Sequence, residues 1–306
     1  MIEVSQLSKS FGQTQALDNV SFKVKKGQIV GFLGANGAGK TTTMDIICGC
    51  IGADTGFAKV AGFDITEEPL LAKAKLGYLP DEPPLHMEMR VSDFITYTAK
   101  LNQVPANQIA TRVAETIARL SLESVKDRVI GNLSKGYKQR VAFAQAIVHD
   151  PEVLILDEPT EGLDPNQIAQ IRDLIKSLAG EHTILLSSHI LSEVQNTCDH
   201  IIIIHNGKVV RQGSYEELVS HMQSGKSYKL KVRENAEGVV GAIAGIKGVS
   251  SPQKINDDGE IEFSMNGAEV DALDLVAKAV LDGGFGLREL TPKTHSLEEV
   301  FFEITH

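Results

Sequence analysis

Three strongly apolar runs, "VLILD", "TILLSS" and "HIIIIHNG", fall between residues 153 and 207. They are separated by stretches such as "QIAQIRDLIKSLAG", whose apolar residues recur every three or four positions. A strand wetted on one face alternates apolar with polar residues, and these runs do not. They read as parallel strands covered on both faces, joined by crossover helices. The same grammar holds earlier in the chain. Residues 22–34 read as a strand ending in "IVGFLG", followed by a glycine-rich turn and a helix from about Lys40 to Cys50. "KLGYLP" at 75–80 reads as a further strand. From Val91 to His149 the pattern is helical, with "VSDFITYTAKLNQ" and "IATRVAETIARLSL" each carrying one apolar stripe. The chain has 306 residues, room for one full α/β domain and a smaller one.

The smaller domain begins where composition shifts, near Ser224 to Lys226. Its order is strand ("SYKLKVR"), helix (236–246), strand ("VSSPQKI"), strand ("EIEFSM"), helix (268–281) and strand ("GLRELTP"), with a closing helix "SLEEVFFEIT". That β-α-β-β-α-β order is the one of a ferredoxin-like unit.

Composition removes several function classes. The formal net charge is −10, with no long Lys/Arg run and no tryptophan, which argues against general nucleic-acid binding. No stretch approaches 18 consecutive apolar residues, and "MIEVSQLSKSF" has no basic-then-apolar leader, so a cytoplasmic setting is expected. Cys48, Cys50 and Cys198 are too few and too unevenly spaced for a disulfide framework or a zinc site. Cys48 and Cys50 are expected to be small buried residues of a helix.

"GANGAGKT", Gly34 to Thr41, matches G-x-x-x-x-G-K-[ST] with a strand before it and a helix after it. Glycines let backbone N–H groups face phosphates without a Cβ in the way, and the helix adds its positive end. The expected cradle is Asn36, Gly37, Gly39, Lys40, Thr41 and Thr42, with Lys40 on the β- and γ-phosphates of a nucleotide and the Thr41 hydroxyl on Mg²⁺. "VLILDEPT" delivers Asp157 to the C-terminal end of a buried strand, where such sheets bind ligands. Asp157 is expected to hold Mg²⁺, and Glu158 to act as general base on a water. Two adjacent carboxylates on an apolar strand point to chemistry more than to a structural ion pair. His189 follows "TILLSS", 31 residues beyond Glu158, and is a candidate to contact the γ-phosphate. "LSKGYKQR", 133–140, resembles a second helix N-terminus prepared for an anion, and one site has no evident need of two.

Taken in order, these segments and "GLDP" at 162–165 resemble an ATP-binding cassette (ABC) ATPase over residues 1 to about 220. The resemblance implies a P-loop nucleotide-binding domain over 1–222, with a parallel-sheet core and a helical subdomain at about 85–149. A small α+β ferredoxin-like accessory domain would follow at 226–306. It also implies that "LSKGYKQR" is the cassette signature, whose Ser134 and Gly136 complete the ATP site of a second copy in a head-to-tail dimer. Phe11 stands where the family stacks an aromatic ring on adenine; by itself it would read as an ordinary core residue.

The single cassette, the C-terminal extension and its ending resemble the ATPase subunits of ABC-2-type exporters. "LSKGYKQRV" and "LDEPTEGLDPNQ" look closest to the group associated with gliding motility. Such a subunit pairs with a separate membrane permease at the cytoplasmic face of the cell membrane. An importer ATPase with a regulatory C-terminal domain and a soluble non-transport cassette ATPase are the alternatives. Four residues depart from the family pattern. Lys135 and Tyr137 replace a Gly and a Gln of the signature. Asp81, followed by Glu82, stands where a Gln normally meets Mg²⁺. Glu161 stands where small or uncharged residues are common.

Overall fold

The computed structural model describes residues 1–220, 226–256, 258–265, 270–292 and Phe301. Two compact units divide between Tyr215 and Glu216. The first opens with β1 (Ile2–Phe11) and β2 (Thr14–Val24), then β3 (Ile29–Leu33), α1 (Lys40–Ile47), β4 (Thr55–Val60), β5 (Phe63–Asp64), α2 (Pro69–Ala74) and β6 (Leu76–Leu79). The helices α3 (Val91–Leu101), α4 (Ile109–Arg119) and α5 (Lys135–Ile147) follow. Next come β7 (Val153–Leu156), α6 (Pro165–Leu178), β8 (Thr183–Ser188), α7 (Leu191–Thr197), β9 (His200–His205) and β10 (Lys208–Gly213), and α8 (Tyr215–Ser220) spans the division.

The central sheet runs β10-β9-β3-β8-β7-β6. Every pair from β9 to β6 is parallel, and only the edge strand β10 is antiparallel. Its parallel strands are buried on both faces, which is why their sequences do not alternate, whereas the edge strand β10 is largely exposed. Leu154, Leu156, Ile184 and Leu186 join the core beneath α3, α5 and α6. Val153, Ile155 and Leu185 point the other way, into a second core shared with β1, β2, β4 and α1. The antiparallel sheet β2-β1-β4-β5 covers that second core.

Three local expectations are corrected. Residues 22–34 are not one strand: the chain turns at Lys25–Gln28, with Gly27 at φ 76°, so β2 and β3 belong to different sheets. Helix α1 stops at Ile47, and Gly49 in the left-handed region at φ 65° turns the chain away. Cys48 is buried there, but Cys50 is exposed and lies outside the helix.

The second unit has β11 (Lys226–Val232), α9 (Ala236–Ala244), β12 (Val249–Lys254), β13 (Glu260–Met265), α10 (Val270–Asp282) and β14 (Leu287–Pro292). The sheet is antiparallel in the order β12-β13-β11-β14, the pairing of a split βαβ unit. Pro252 falls on the edge strand β12, where a missing N–H costs no internal ladder bond. Tyr228 stacks on Phe263 at 5.6 Å, over a core that α9 and α10 cover. The closing segment "SLEEVFFEIT" lies outside the described residues except for Phe301.

Candidate nucleotide site

Strand order builds the site. β8 lies between β3 and β7, with Leu33 beside Ser188 and Leu156 beside Leu186. The segments leaving the C-terminal ends of these three strands therefore lie side by side. They carry Lys40, His189 and the Asp157–Glu158 pair.

The loop between β3 and α1 needs its glycines for separate reasons. A Cβ on Gly34 would stand 2.6 Å from the Ile204 carbonyl oxygen. Gly39, at φ 107°, starts α1 from the left-handed region, and a Cβ there would meet Leu17 Cδ2 at 2.7 Å. Lys40 folds back through this loop. Its buried ammonium donates to the Gly34 carbonyl at 2.8 Å and lies 3.2 Å from Glu158 Oε1. The other Glu158 oxygen, Oε2, lies 3.0 Å from His189 Nδ1. A row of lysine, carboxylate and imidazole thus closes the mouth of the loop.

Ser187, wholly buried, holds that row in register. Its hydroxyl accepts from the Glu158 N–H at 2.8 Å and donates to Asp157 Oδ1. Sequence reasoning passed over this residue, although the paired serines that end "TILLSS" are polar groups on an otherwise apolar strand. Burial pushes the Asp157 carboxyl up from its ordinary range, the hydroxyls of Ser187 and Thr41 pull it back, and the charges of Glu158 and Asp81 raise it further. Asp157 Oδ2 is buried with no hydrogen-bond partner. An orphaned carboxylate oxygen near a threonine hydroxyl is a hard-oxygen arrangement that suits Mg²⁺.

Asn36, Gly37, Gly39, Lys40, Thr41, Thr42, Asp81, Glu158 and Glu161 line one cleft. His189 stands beside it through Glu158. Asp81 is exposed, and its neighbour Glu82 turns into a different groove. Ser134 and Gly136 are not brought to this cleft. They line another, with Tyr137, Arg140 and Gln167. Helix α5 begins at Lys135, so Gly136 lies within its first turn. Gly136 is packed so closely that a Cβ would meet the Gln167 side chain at 2.8 Å. Phe11 ends β1 with 52% of its surface exposed and Lys9 Nζ 5.6 Å from its ring centre. That exposure overturns its reading as a core residue.

Residues 17–161 match the family model described as ABC transporter. The uncharacterized ABC transporter ATP-binding protein YxlF of Bacillus subtilis is 30% identical over 306 residues, spanning 100% of both chains. The chain belongs to the ATP-binding subunits of ABC transporters. Its reaction is accordingly the hydrolysis of ATP. The Nod factor export ATP-binding protein I of Ralstonia nicotianae is 34% identical over 222 residues, covering 72% of this chain and 69% of that one. A solved ATP-binding subunit of an ABC transporter superposes with TM-score 0.67 at 29% identity, over 72% of this chain and 93% of its own. Among the described residues, no helix is long and apolar enough to cross a membrane.

Proposed function

We propose that this ABC subunit powers an exporter through a separate membrane permease, docked at the cytoplasmic face of the cell membrane. Its segments "LSKGYKQRV" and "LDEPTEGLDPNQ" favour the ABC-2-type group associated with gliding motility. The observation that carries the chemistry is the row Lys40–Glu158–His189 at the mouth of the P-loop. The terminal phosphate of ATP displaces Lys40 from its carbonyl partners and takes the ammonium for itself. Glu158 accepts the proton of the attacking water as the bond from phosphorus to the ADP oxygen breaks. His189 orients the γ-phosphate from the other side. Thr41 and Asp157 hold Mg²⁺, which offsets phosphate charge when bound.

By the resemblance to the cassette signature, Ser134 and Gly136, which open onto a cleft of their own, serve the ATP of a second, head-to-tail copy. The exposed ring of Phe11 is free to stack on adenine. Export is supported by the similarity to a Nod factor export subunit. Asp81 couples the cleft to the permease more than it binds metal, because its side chain, shorter than the Gln it replaces, is exposed. Residues 226–306 support dimer contacts or regulation, since no phosphate cradle occurs among their described residues.

Co-purification with the membrane partner tests the assignment. Asp81→Ala is expected to keep the basal ATPase of the isolated subunit within a few-fold and to lose stimulation by the permease. Severe loss of basal turnover with weakened Mg²⁺ affinity would make Asp81 a metal ligand instead. Capture of a substrate-binding protein and measured uptake would make the complex an importer.

A further inference from the structure

Glu161 has no part in the reaction proposed above, yet it lines the same cleft. The turn that carries it is closed in a specific way. Glu158 adopts a left-handed φ of 45°, and the Glu161 N–H donates back to the Glu158 carbonyl at 3.1 Å. Two carboxylates three residues apart are thereby brought to one side of the loop. His189 arrives from the end of β8. One donor atom each from Glu158, Glu161 and His189 lies within 4.8 Å of the other two.

We propose that Glu158, Glu161 and His189 form a site for a transition-metal dication of the Zn²⁺ type, and that the bound ion withholds Glu158 from catalysis. The inhibitory half of this proposal rests on the reading of Glu158 as general base. Ligand bonds of about 2.1 Å in a tetrahedral zinc site place donor atoms about 3.4 Å apart. The His189–Glu158 separation of 3.0 Å is already near that value. Glu161 is exposed and free to swing the remaining distance. An imidazole in the set selects Zn²⁺ and its neighbours over Mg²⁺, which prefers oxygen throughout. The proposed Mg²⁺ ligands, Thr41 and Asp157, are all-oxygen donors, so the two metals are sorted by donor chemistry. Lys40 opposes a second cation here, but the carboxylates of Glu158, Glu161 and Asp81 around the cleft outweigh its single charge. Solvent reaches the site through the side chain of His189, which is 37% exposed.

The metal-free full chain is titrated with Zn²⁺ against a chelating dye, and with Co²⁺ while its absorption spectrum is recorded. The expected result is one equivalent of Zn²⁺ and a cobalt spectrum without a thiolate charge-transfer band, which excludes the exposed Cys50 as ligand. Glu161→Gln and His189→Gln should each weaken Zn²⁺ binding by at least about 10-fold, with unchanged circular dichroism. At fixed Mg²⁺-ATP, Zn²⁺ should inhibit the wild type, and Glu161→Gln should require at least about 10-fold more Zn²⁺ for the same inhibition. Equal affinity of wild type and Glu161→Gln, or a thiolate band, overturns the site. Zn²⁺ bound at this site with turnover undiminished overturns the inhibition. Wild-type turnover by Glu158→Gln refutes the general base and leaves the zinc titration to stand or fall by itself.

Discussion

The Lys40 ammonium lies 3.2 Å from Glu158 Oε1, so the P-loop cation and the proposed base neutralise each other before ATP arrives. Glu158 is 8% exposed, which makes this contact stronger than a surface pair. ATP must take Lys40 from that partner. Glu158→Gln removes the competing charge along with the base. The variant is expected to bind ATP at least as tightly as the wild type and to lose hydrolysis by about 10²-fold or more. Equilibrium nucleotide binding and steady-state turnover on the same preparation check both halves.

Ser187 gives a second test, one that separates positioning from chemistry. Ser187→Ala leaves the Glu158 N–H and Asp157 Oδ1 without their shared partner in a buried site. A loss of about 1–3 kcal/mol in stability is expected, together with a drop in kcat. KM for ATP should stay close to the wild-type value, because the P-loop itself is untouched. Denaturant unfolding and steady-state kinetics measure the two effects separately.

The difference between Ser187 and its neighbours shows what was legible in the sequence. Lys40, Asp157, Glu158 and His189 were readable because each follows an apolar run that had to be a buried strand, and such strands present their C-terminal ends to ligands. That the three strand ends meet side by side was not readable. It depends on the pairing order β3-β8-β7, which carries no local sequence mark. Ser187 was missed for that reason, since its function exists only across the β7–β8 pair. The break between β2 and β3 is marked only by the short polar run Lys25–Gln28 around Gly27, with apolar residues on both sides. Phe11 reads as core by composition alone. Its exposure follows from its place at the end of β1, a hairpin strand whose tip leaves the sheet's cover.

Among the described residues of the second unit, Glu260 is a carboxylate strongly tuned by its neighbours. Its Oε1 lies 3.0 Å from Lys229 Nζ and 3.1 Å from Lys231 Nζ, while Asn256 donates to Oε2 at 2.8 Å. The Lys229 and Lys231 bonds, then that of Asn256, pull its pKa from 4.5 down to about 2. A carboxylate depressed on folding stabilises the native state above its unfolded pKa and loses that contribution as pH falls through the folded one. Glu260→Gln is therefore expected to lower the protection of β11 and β13 amides at neutral pH. The gap from wild type should close as pH falls from 4.5 towards 2. Hydrogen-exchange protection factors for these two strands, taken across that range, are the measurement.

Ser134 and Gly136 open onto a cleft lined by Tyr137, Arg140 and Gln167, separate from the one that holds Lys40 and Thr41. If each cleft supplies half of an ATP site, two chains must meet head to tail, and lesions in the two halves will sort in a definite way. Lys40→Ala damages the P-loop half and Ser134→Arg the signature half. Each homodimer has one lesion in both of its sites and is expected to be inactive. In a mixed dimer, the P-loop of the Lys40→Ala chain faces the signature of the Ser134→Arg chain, so one site collects both lesions. The other site pairs an intact P-loop with an intact signature. Mixing two inactive proteins should therefore restore ATP-dependent dimerisation, and hydrolysis to the extent that one site turns over alone. If the signature served the ATP of its own chain, every site would keep one lesion and mixing would restore nothing. The readouts are light scattering with ATP and phosphate release, after differential labelling has verified subunit exchange. No recovery in exchanged dimers refutes the shared site.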